Sequence, residues 1–368
     1  MNAQEKKLAM HLNWVDWARF LAAFAVVLTH ARSSVWVNWG DLPSTERTPL
    51  AYLVYTVSRF GHEAVIVFFV LSGYLVGGKL IERVRQGTLD PTRYAIDRAT
   101  RIYVPYLPAL ALSGFAWWFT SNQVSLSDFI LNVAQLQQVF APSFAGNDAL
   151  WSLAYEVWFY VAGGAFALAC TGQSSARLPA LVVGGLSLCV FVKLLPVYLL
   201  CWFIGAVAYA AGASSRPMRD VAIGFALLVT GVILSQYAFQ HAPTNFVSGS
   251  GFDAKATPLR QISFLVMCLG VVFILAASIQ SAPQGLWARI ERCGSALAAG
   301  SYTLYLTHYP VLLLCEHFDP VKHAAMDAAA FISFGLRLSL SLIAAWGLYW
   351  LFEKRTPQVR AWMTEKIK

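Results

Sequence analysis

The sequence predicts an all-α integral membrane protein with about ten transmembrane helices and both termini on the cytoplasmic side. Three observations carry that expectation. Hydrophobic residues make up 58% of the 368-residue chain, while Asp, Glu, Lys and Arg together make up 12%, about half the charged fraction of an ordinary water-soluble domain. The mean hydropathy is +0.56, so the chain carries more apolar side chain than one aqueous core of this size can hide, and the excess must face lipid. The apolar residues also fall into stretches of about 20, the length that crosses a roughly 30 Å hydrocarbon layer, separated by segments that hold nearly all the basic residues.

Taken in order, the first ten residues are polar, and 1–13 read as a short cytoplasmic segment. The first span is expected at 14–34. Asp16 and Arg19 interrupt it and no small-residue cleavage site follows, which marks a retained helix rather than a signal peptide. Further spans are expected at 63–81, 103–120, 149–171, 178–193, 195–212, 218–239, 258–279, 293–316 and 330–353. The fifth and sixth are separated only by Lys193 to Pro196, and read either as a short pair or as one broken element. Residues 354–368 form a cytoplasmic tail. No internal repeat, coiled coil or appended soluble domain is apparent, so 1–368 reads as a single membrane-embedded domain.

Ten spans return both termini to one side, and the basic residues say which. The N-terminal segment, the even-numbered loops and the tail hold about 18 Lys and Arg; the opposite side holds about seven, namely Arg32, Arg47, Arg59, Lys193, Lys255, Arg260 and Lys322. The termini are therefore expected inside, with the segments 35–60, 121–148 and 240–258 facing outward. The formal net charge of +8 writes this topology; no domain-sized basic region exists to bind nucleic acid. The six cysteines, Cys170, Cys189, Cys201, Cys268, Cys293 and Cys315, lack CxxC or Cys/His spacing and read as buried small hydrophobes, not metal ligands. No Walker or Rossmann glycine motif stands in context, which argues against direct use of ATP or NAD.

Ionisable side chains within spans cost about 2.5–3.5 kcal/mol each to insert, so each needs a partner or a task. Asp16, Arg19 and His30 all lie in the first span. Arg19 and His30 are eleven residues apart, three helical turns plus about 20°, so they share a face at a separation of roughly 16 Å. Asp16 is spaced to pair with Arg19. Glu156, His308 and Arg337 fall at the depth of His30, and a histidine, a carboxylate and an arginine at one depth form a candidate reaction centre. The bland alternative is mutual neutralisation, with His30 bonded to a carbonyl. His11, His241, His317 and His323 lie in loops or tails and receive no role. A cluster of Arg83, Arg85, Arg93, Arg98 and Arg101 precedes the third span; guanidinium forks suit phosphate oxygens, and the positive-inside rule explains the cluster equally well.

Five motifs run through the chain in order: Arg19 and His30 within WVDWARFLAAFAVVLTH, then FFVLSGY (68–74), RATR (98–101), WSLAYEVWFY (151–160) and SYTLYLTHYP (301–310). With the span count they resemble the acyltransferase-3 superfamily, membrane-bound O-acyltransferases whose R-x10-H pattern Arg19 and His30 match. The resemblance covers nearly the whole chain, without the SGNH-type domain that some members carry at the C-terminus, so the acceptor is expected to be handled by the membrane part or by a separate protein. It implies acetyl-CoA or another acyl-CoA as co-substrate, with no tightly bound cofactor. It also implies a carbohydrate hydroxyl as acceptor, on a polysaccharide or lipid-linked oligosaccharide, and residence in a bacterial inner membrane.

On this reading Arg98 and Arg101, with Arg19, hold the CoA phosphates, and the pantetheine arm runs along the first helix to His30, which requires both residues to face a shared cavity. His30 acts as general base or is itself acylated. Glu156 orients the imidazole or binds acceptor hydroxyls. Ser72 and Gly73 allow close backbone approach or merely pack helices, and Trp151, Tyr302, His308 and Arg337 are either substrate contacts or packing. Trp36, Trp39, Tyr52 and Tyr55 suit a sugar ring but fit the membrane interface better. Rival readings are a flippase for a lipid-linked sugar and a non-catalytic assembly subunit.

Overall fold

A chain immersed in lipid must satisfy its backbone hydrogen bonds internally, and helices do so within one segment. The computed structural model describes residues 3–121, 123–171, 174–242, 257–278 and 286–367, with the side chains of all of these except 3–14, 174 and 286–291. Among the described residues there is no strand beyond two isolated bridges. The helices are α1 (Ala3–Val35), α2 (Pro49–Val57), α3 (Gly61–Ser72), α4 (Gly78–Arg85), α5 (Pro91–Ser121), α6 (Leu126–Val133), α7 (Trp151–Ala169), α8 (Ser174–Lys193), α9 (Pro196–Ala211), α10 (Pro217–Gln240), α11 (Pro258–Ser278), α12 (Leu286–Ala299), α13 (Ser301–Phe318), α14 (Ala328–Leu351) and α15 (Thr356–Ile367).

Seven helical stretches among the described residues are long and apolar enough to cross a membrane, the longest being Pro49–Arg85 and Ala328–Ile367. α9 is apolar but shorter, and the polar residues along α1 and α13 keep those two below the same mark. Leu178, Val182, Leu186, Val192, Ile233, Ile332, Ile343 and Trp346 stand exposed on the outside of the bundle. A water-soluble protein would not tolerate that much apolar surface; here it faces hydrocarbon, and the chain is a multi-pass membrane protein.

Several expected boundaries change. The stretch 293–316 divides at Gly300 into α12 and α13. The uncertain pair resolves into α8 and α9, with Pro196 at the first turn of α9, where its missing N–H costs nothing. The segment 35–60 contains α2 and leads directly into α3. The tail forms α15, held to α5 by Arg360 and Asp97 at 3.6 Å. Residues 243–256 of the outward segment 240–258, Lys255 among them, lie outside the described residues, as do Lys368 and the side chains of Lys6, Lys7, His11 and Arg289.

The segment 121–148 is not simply an outward loop. After α6, residues 134–150 fold back into the bundle, with Gln135, Gln137 and Asn147 fully buried and Asn132 buried just before them. Non-helical backbone survives at such a position when side chains satisfy it. Asn132 Nδ2 donates to Asp128 and Pro142 carbonyls, Asn147 Nδ2 to Ser113 Oγ and the Leu306 carbonyl, and Gln137 Nε2 to the Leu150 carbonyl. Gln135, Gln138 and Ala145 take positive φ here.

At Gly73–Gly77 the helix loosens into a π turn, a local widening common beside functional sites. α9 crosses it at backbone contact: a Cβ on Gly73 would lie 1.9 Å from the Trp202 carbonyl oxygen, and one on Gly205 would lie 2.1 Å from that of Val70. Gly73 is therefore a packing residue. Arg337 is structural too. Its buried guanidinium donates to the Ser34 and Asp319 carbonyls and pairs with the Asp319 carboxylate at 3.0 Å, tying α14 to the end of α1. Of the six cysteines only Cys201 and Cys268 are buried; Cys170, Cys189 and Cys293 are exposed, because the outside of a membrane bundle is as apolar as its interior.

Candidate active site

α1 is continuous from Ala3 to Val35, so Arg19 and His30 stand on one rod, about 16 Å apart along it. His30 does not meet Glu156; its partner is His308 on α13, whose Nε2 lies 3.1 Å from His30 Nδ1. His308 Nδ1 lies 3.0 Å from the Leu304 carbonyl oxygen. A carbonyl can only accept, so Nδ1 of His308 carries the proton. In the neutral ring its Nε2 then holds a lone pair, and the bond between the rings is donated by His30 Nδ1. The lone pair of His30 therefore sits on Nε2. Tyr309 stands edge-on against the same ring, at 5.1 Å between centroids.

The N-terminus of α3 is brought to this point by Gly61, where any Cβ would lie 2.8 Å from Thr29 Oγ1 on α1. The close approach places His62 and Glu63 in the wall of a cavity of about 1110 Å³ that His30 also lines. His62 stacks flat on Trp151 at 5.3 Å and hydrogen-bonds the Tyr198 hydroxyl at 2.9 Å. Trp39, Tyr52 and Tyr55 line the cavity as well, Trp39 packing on Tyr52 at 4.6 Å. These three line the cavity, with Tyr52 also exposed at the surface. Trp36 does not line it and is buried against Phe331 and Phe334, with its indole N–H on the Ala325 carbonyl.

A second cavity, of about 380 Å³, lies toward the N-terminal half of α1 and holds five cationic side chains, Arg19, Lys79, Arg83, Arg98 and Arg101, against two carboxylates, Asp97 and Glu156. Arg19 pairs with Asp16 at 3.6 Å, and Arg101 with the buried Glu353 at 2.7 Å. Arg98 lies over the Tyr160 ring and Arg101 over that of Tyr302. Among the described residues Lys79, Arg83 and Arg98 have no carboxylate within ion-pair distance. Glu156 ends a chain of donors that crosses the bundle: Trp202 Nε1 gives to Ser72 Oγ at 3.3 Å, Ser72 Oγ to Tyr160 Oη at 3.3 Å, and Tyr160 Oη to Glu156 Oε1.

Arg19 and His30 thus line two cavities, not one. Tyr305 lines both. Its hydroxyl donates to the Ala149 carbonyl at 2.8 Å and accepts from Ser152 Oγ at 2.7 Å, so the ring is fixed between them. The structure gathers Arg19, Ser72, Arg98, Arg101, Glu156 and Tyr302 on one side of Tyr305, and His30 and Trp151 on the other, with His308 behind His30. Gly73 and Arg337 belong to neither. Sequence reasoning passed over Lys79, His62 and Tyr305. Of these His62 left a signal, an imidazole beside a carboxylate at the mouth of an apolar run.

Among the described residues no group of three or more His, Cys, Asp or Glu side chains is placed to hold a metal ion. No curated protein and no solved structure matches the chain. The acyltransferase domain model of the acyltransferase-3 family matches residues 12–350, a range that includes α13, the residues lining both cavities, α1 from residue 12 onward and nearly all of α14. On that match the chain belongs to the acyltransferase-3 family and is an acyltransferase.

Proposed function

We propose that the protein transfers an acyl group, most simply acetyl, from acyl-CoA to a carbohydrate hydroxyl across a bacterial inner membrane, with His30 as the general base. α1, α9 and α13 join the seven apolar stretches to make ten spans, and an even count with the observed Lys and Arg distribution supports cytoplasmic termini. On that orientation the smaller cavity belongs to the cytoplasmic side. Its excess of cations suits the phosphates of CoA, with Lys79, Arg83 and Arg98 carrying that load because Glu353 already occupies Arg101.

The single observation that carries the reading is the imidazole pair, which leaves the lone pair of His30 on Nε2. The acceptor hydroxyl attacks the thioester carbonyl while His30 Nε2 takes its proton; the C–S bond breaks, and the proton passes to the departing thiolate. The acceptor is a polysaccharide or lipid-linked sugar in the larger cavity, whose Trp39 and Tyr52 offer flat apolar faces to a ring.

Replacing His30 by Ala, at unchanged membrane levels of the protein, is expected to abolish acetylation of the surface glycan. An unchanged acetyl content removes the assignment. Acetate retained on His30 after incubation with acetyl-CoA alone would make it an acyl carrier instead. Arg19→Lys is expected to impair transfer if bidentate contacts matter.

A further inference from the structure

The larger cavity is lined by three guanidinium groups that the transfer step does not use, those of Arg32, Arg59 and Arg260, the last of them stacked over the Phe239 and Phe264 rings. Arg32, two residues beyond His30 on α1, and Arg59, just ahead of α3, both line it, and they are close enough for their charges to repel. Neither has a carboxylate partner among the described residues. Arg32 lies over the Tyr55 ring at 4.9 Å and its Nε is buried without a hydrogen bond. The two carboxylates in the same wall are engaged elsewhere: Asp148 accepts from Tyr309, and Glu63 from Ser235 and Gln236.

Three other arginines of the bundle show the contrast, while Arg83 and Arg98 of the smaller cavity, like Arg32 and Arg59, lack a carboxylate partner among the described residues. Arg19, Arg101 and Arg337 each face a carboxylate, and Arg47 at the rim donates to the Leu42 carbonyl. Like charges lining one partly dry wall raise the energy of the empty site, and an anion bound there lowers it. A neutral sugar gains nothing from such a pair. Planar guanidinium forks fit the paired oxygens of a carboxylate and of a phosphate equally well.

We propose that the acceptor carbohydrate is acidic, carrying a carboxylate or a phosphate that Arg32 and Arg59 grip while its hydroxyl is presented to His30. This rests on the reading that the larger cavity holds the acceptor. The arginine pair then selects acidic over neutral glycans and sets the register of the ring relative to His30 Nε2.

Binding tests this without turnover. The full-length protein, purified in a polyoxyethylene detergent that contains no sugar, is titrated at constant ionic strength with glucuronic acid, glucose 6-phosphate, glucose or a short-chain phosphatidylglycerol. The readout is the thermal unfolding midpoint of wild type, Arg32→Gln, Arg59→Gln and Arg59→Lys. Glucuronic acid or glucose 6-phosphate is expected to stabilise wild type saturably, at roughly tenfold lower concentration than either Gln variant, as loss of one charge-assisted contact implies. Arg59→Lys is expected to fall between, and glucose to have no effect at the same concentrations. Whichever anion acts identifies the group. Absence of any response to the two sugar anions, equal responses in wild type and both Gln variants, or a response to phosphatidylglycerol alone, each overturns the proposal. The titration reads binding without turnover, so failure of the acyl-transfer reading appears in the glycan acetyl content of His30→Ala membranes and not in this titration.

Discussion

Replacing His308 by Leu keeps a side chain of similar bulk on α13 and removes the acceptor that holds His30 Nδ1–H. In the native arrangement that N–H gives to His308 Nε2 at 3.1 Å, and His308 is itself fixed by the Leu304 carbonyl at 3.0 Å. Without the acceptor a buried donor is left unsatisfied, which costs about 1–3 kcal/mol. The imidazole can escape that cost by moving its proton to Nε2, and this removes the base. At 1.4 kcal/mol per factor of ten, kcat is expected to fall roughly ten- to a hundredfold. The Michaelis constant for acetyl-CoA should stay within about twofold, since the cationic cavity lies beyond Tyr305. The assay is incorporation of labelled acetyl from acetyl-CoA into the glycan fraction of membranes containing each variant at matched levels. His308→Gln, whose amide oxygen can still accept, should recover part of the rate. A purely structural His308 would lower the amount of folded protein without that recovery. Full kcat in His308→Leu would refute the tautomer argument.

Three further outcomes are expected. Glu353→Gln breaks a buried pair with Arg101 while Thr303 N and Oγ1 still point at the amide, and should cost about 3 kcal/mol, read as a lower unfolding midpoint that a second change, Arg101→Met, partly restores. Gly73→Ala drives a methyl into the Trp202 carbonyl at 1.9 Å and should lower the yield of folded protein sharply, since the obstacle is backbone, whereas Ser72→Ala should be mild by the same measure. Asp319, outside the spans, accepts from Ser333 and then Arg337, and both hold its carboxyl below the ordinary aspartate value. A lowered folded-state pKa contributes stability above the unfolded value of about 3.9 that is lost as pH falls through the folded one. The unfolding midpoint of wild type should therefore drop more steeply below about pH 4 than that of Asp319→Asn.

The positions of the apolar helices were legible because charge is so sparse that every ionised side chain stands out against the runs, and Arg19 with His30 was legible because helical periodicity is fixed by backbone geometry. Depth bookkeeping, however, gives height along the bundle and not the direction in which a side chain points. Glu156 and His308 stood at similar heights, and only the packing of α13 against α1 turns His308 toward His30 and leaves Glu156 to Tyr160. Gly73 could equally have been a site residue or a packing residue until the backbone of α9 was found against it. The segment 134–150 reads as exposed because it is polar and carries a proline and a glycine. Its Gln135, Gln137 and Asn147 are buried, and Asn132, Gln137 and Asn147 donate to the Pro142, Leu150 and Leu306 carbonyls, a pairing that sequence spacing does not reveal.

Tyr305 sits where the acyl-transfer reading makes opposite demands. A group carried by a water-soluble thioester on one side must reach a hydroxyl on the other, yet an open passage between cavities of about 380 and 1110 Å³ would leak protons and ions. On that reading the Tyr305 ring, which lines both cavities, is the barrier between them, and Phe68 packs edge-on against it at 5.9 Å. What holds the ring is its hydroxyl, through one bond to the Ala149 carbonyl and one from Ser152. Two neutral hydrogen bonds contribute about 1–3 kcal/mol net, enough to keep the ring in place at rest and small against the binding energy of a coenzyme. The anchors lie at the start of α7, the helix that also carries Glu156 into the smaller cavity and Trp151 into the larger one. Occupancy of either cavity therefore bears on the same helix that fixes the wall, so the barrier needs no separate gate: the residues that contact the substrates are joined by one turn of backbone to those that hold it shut.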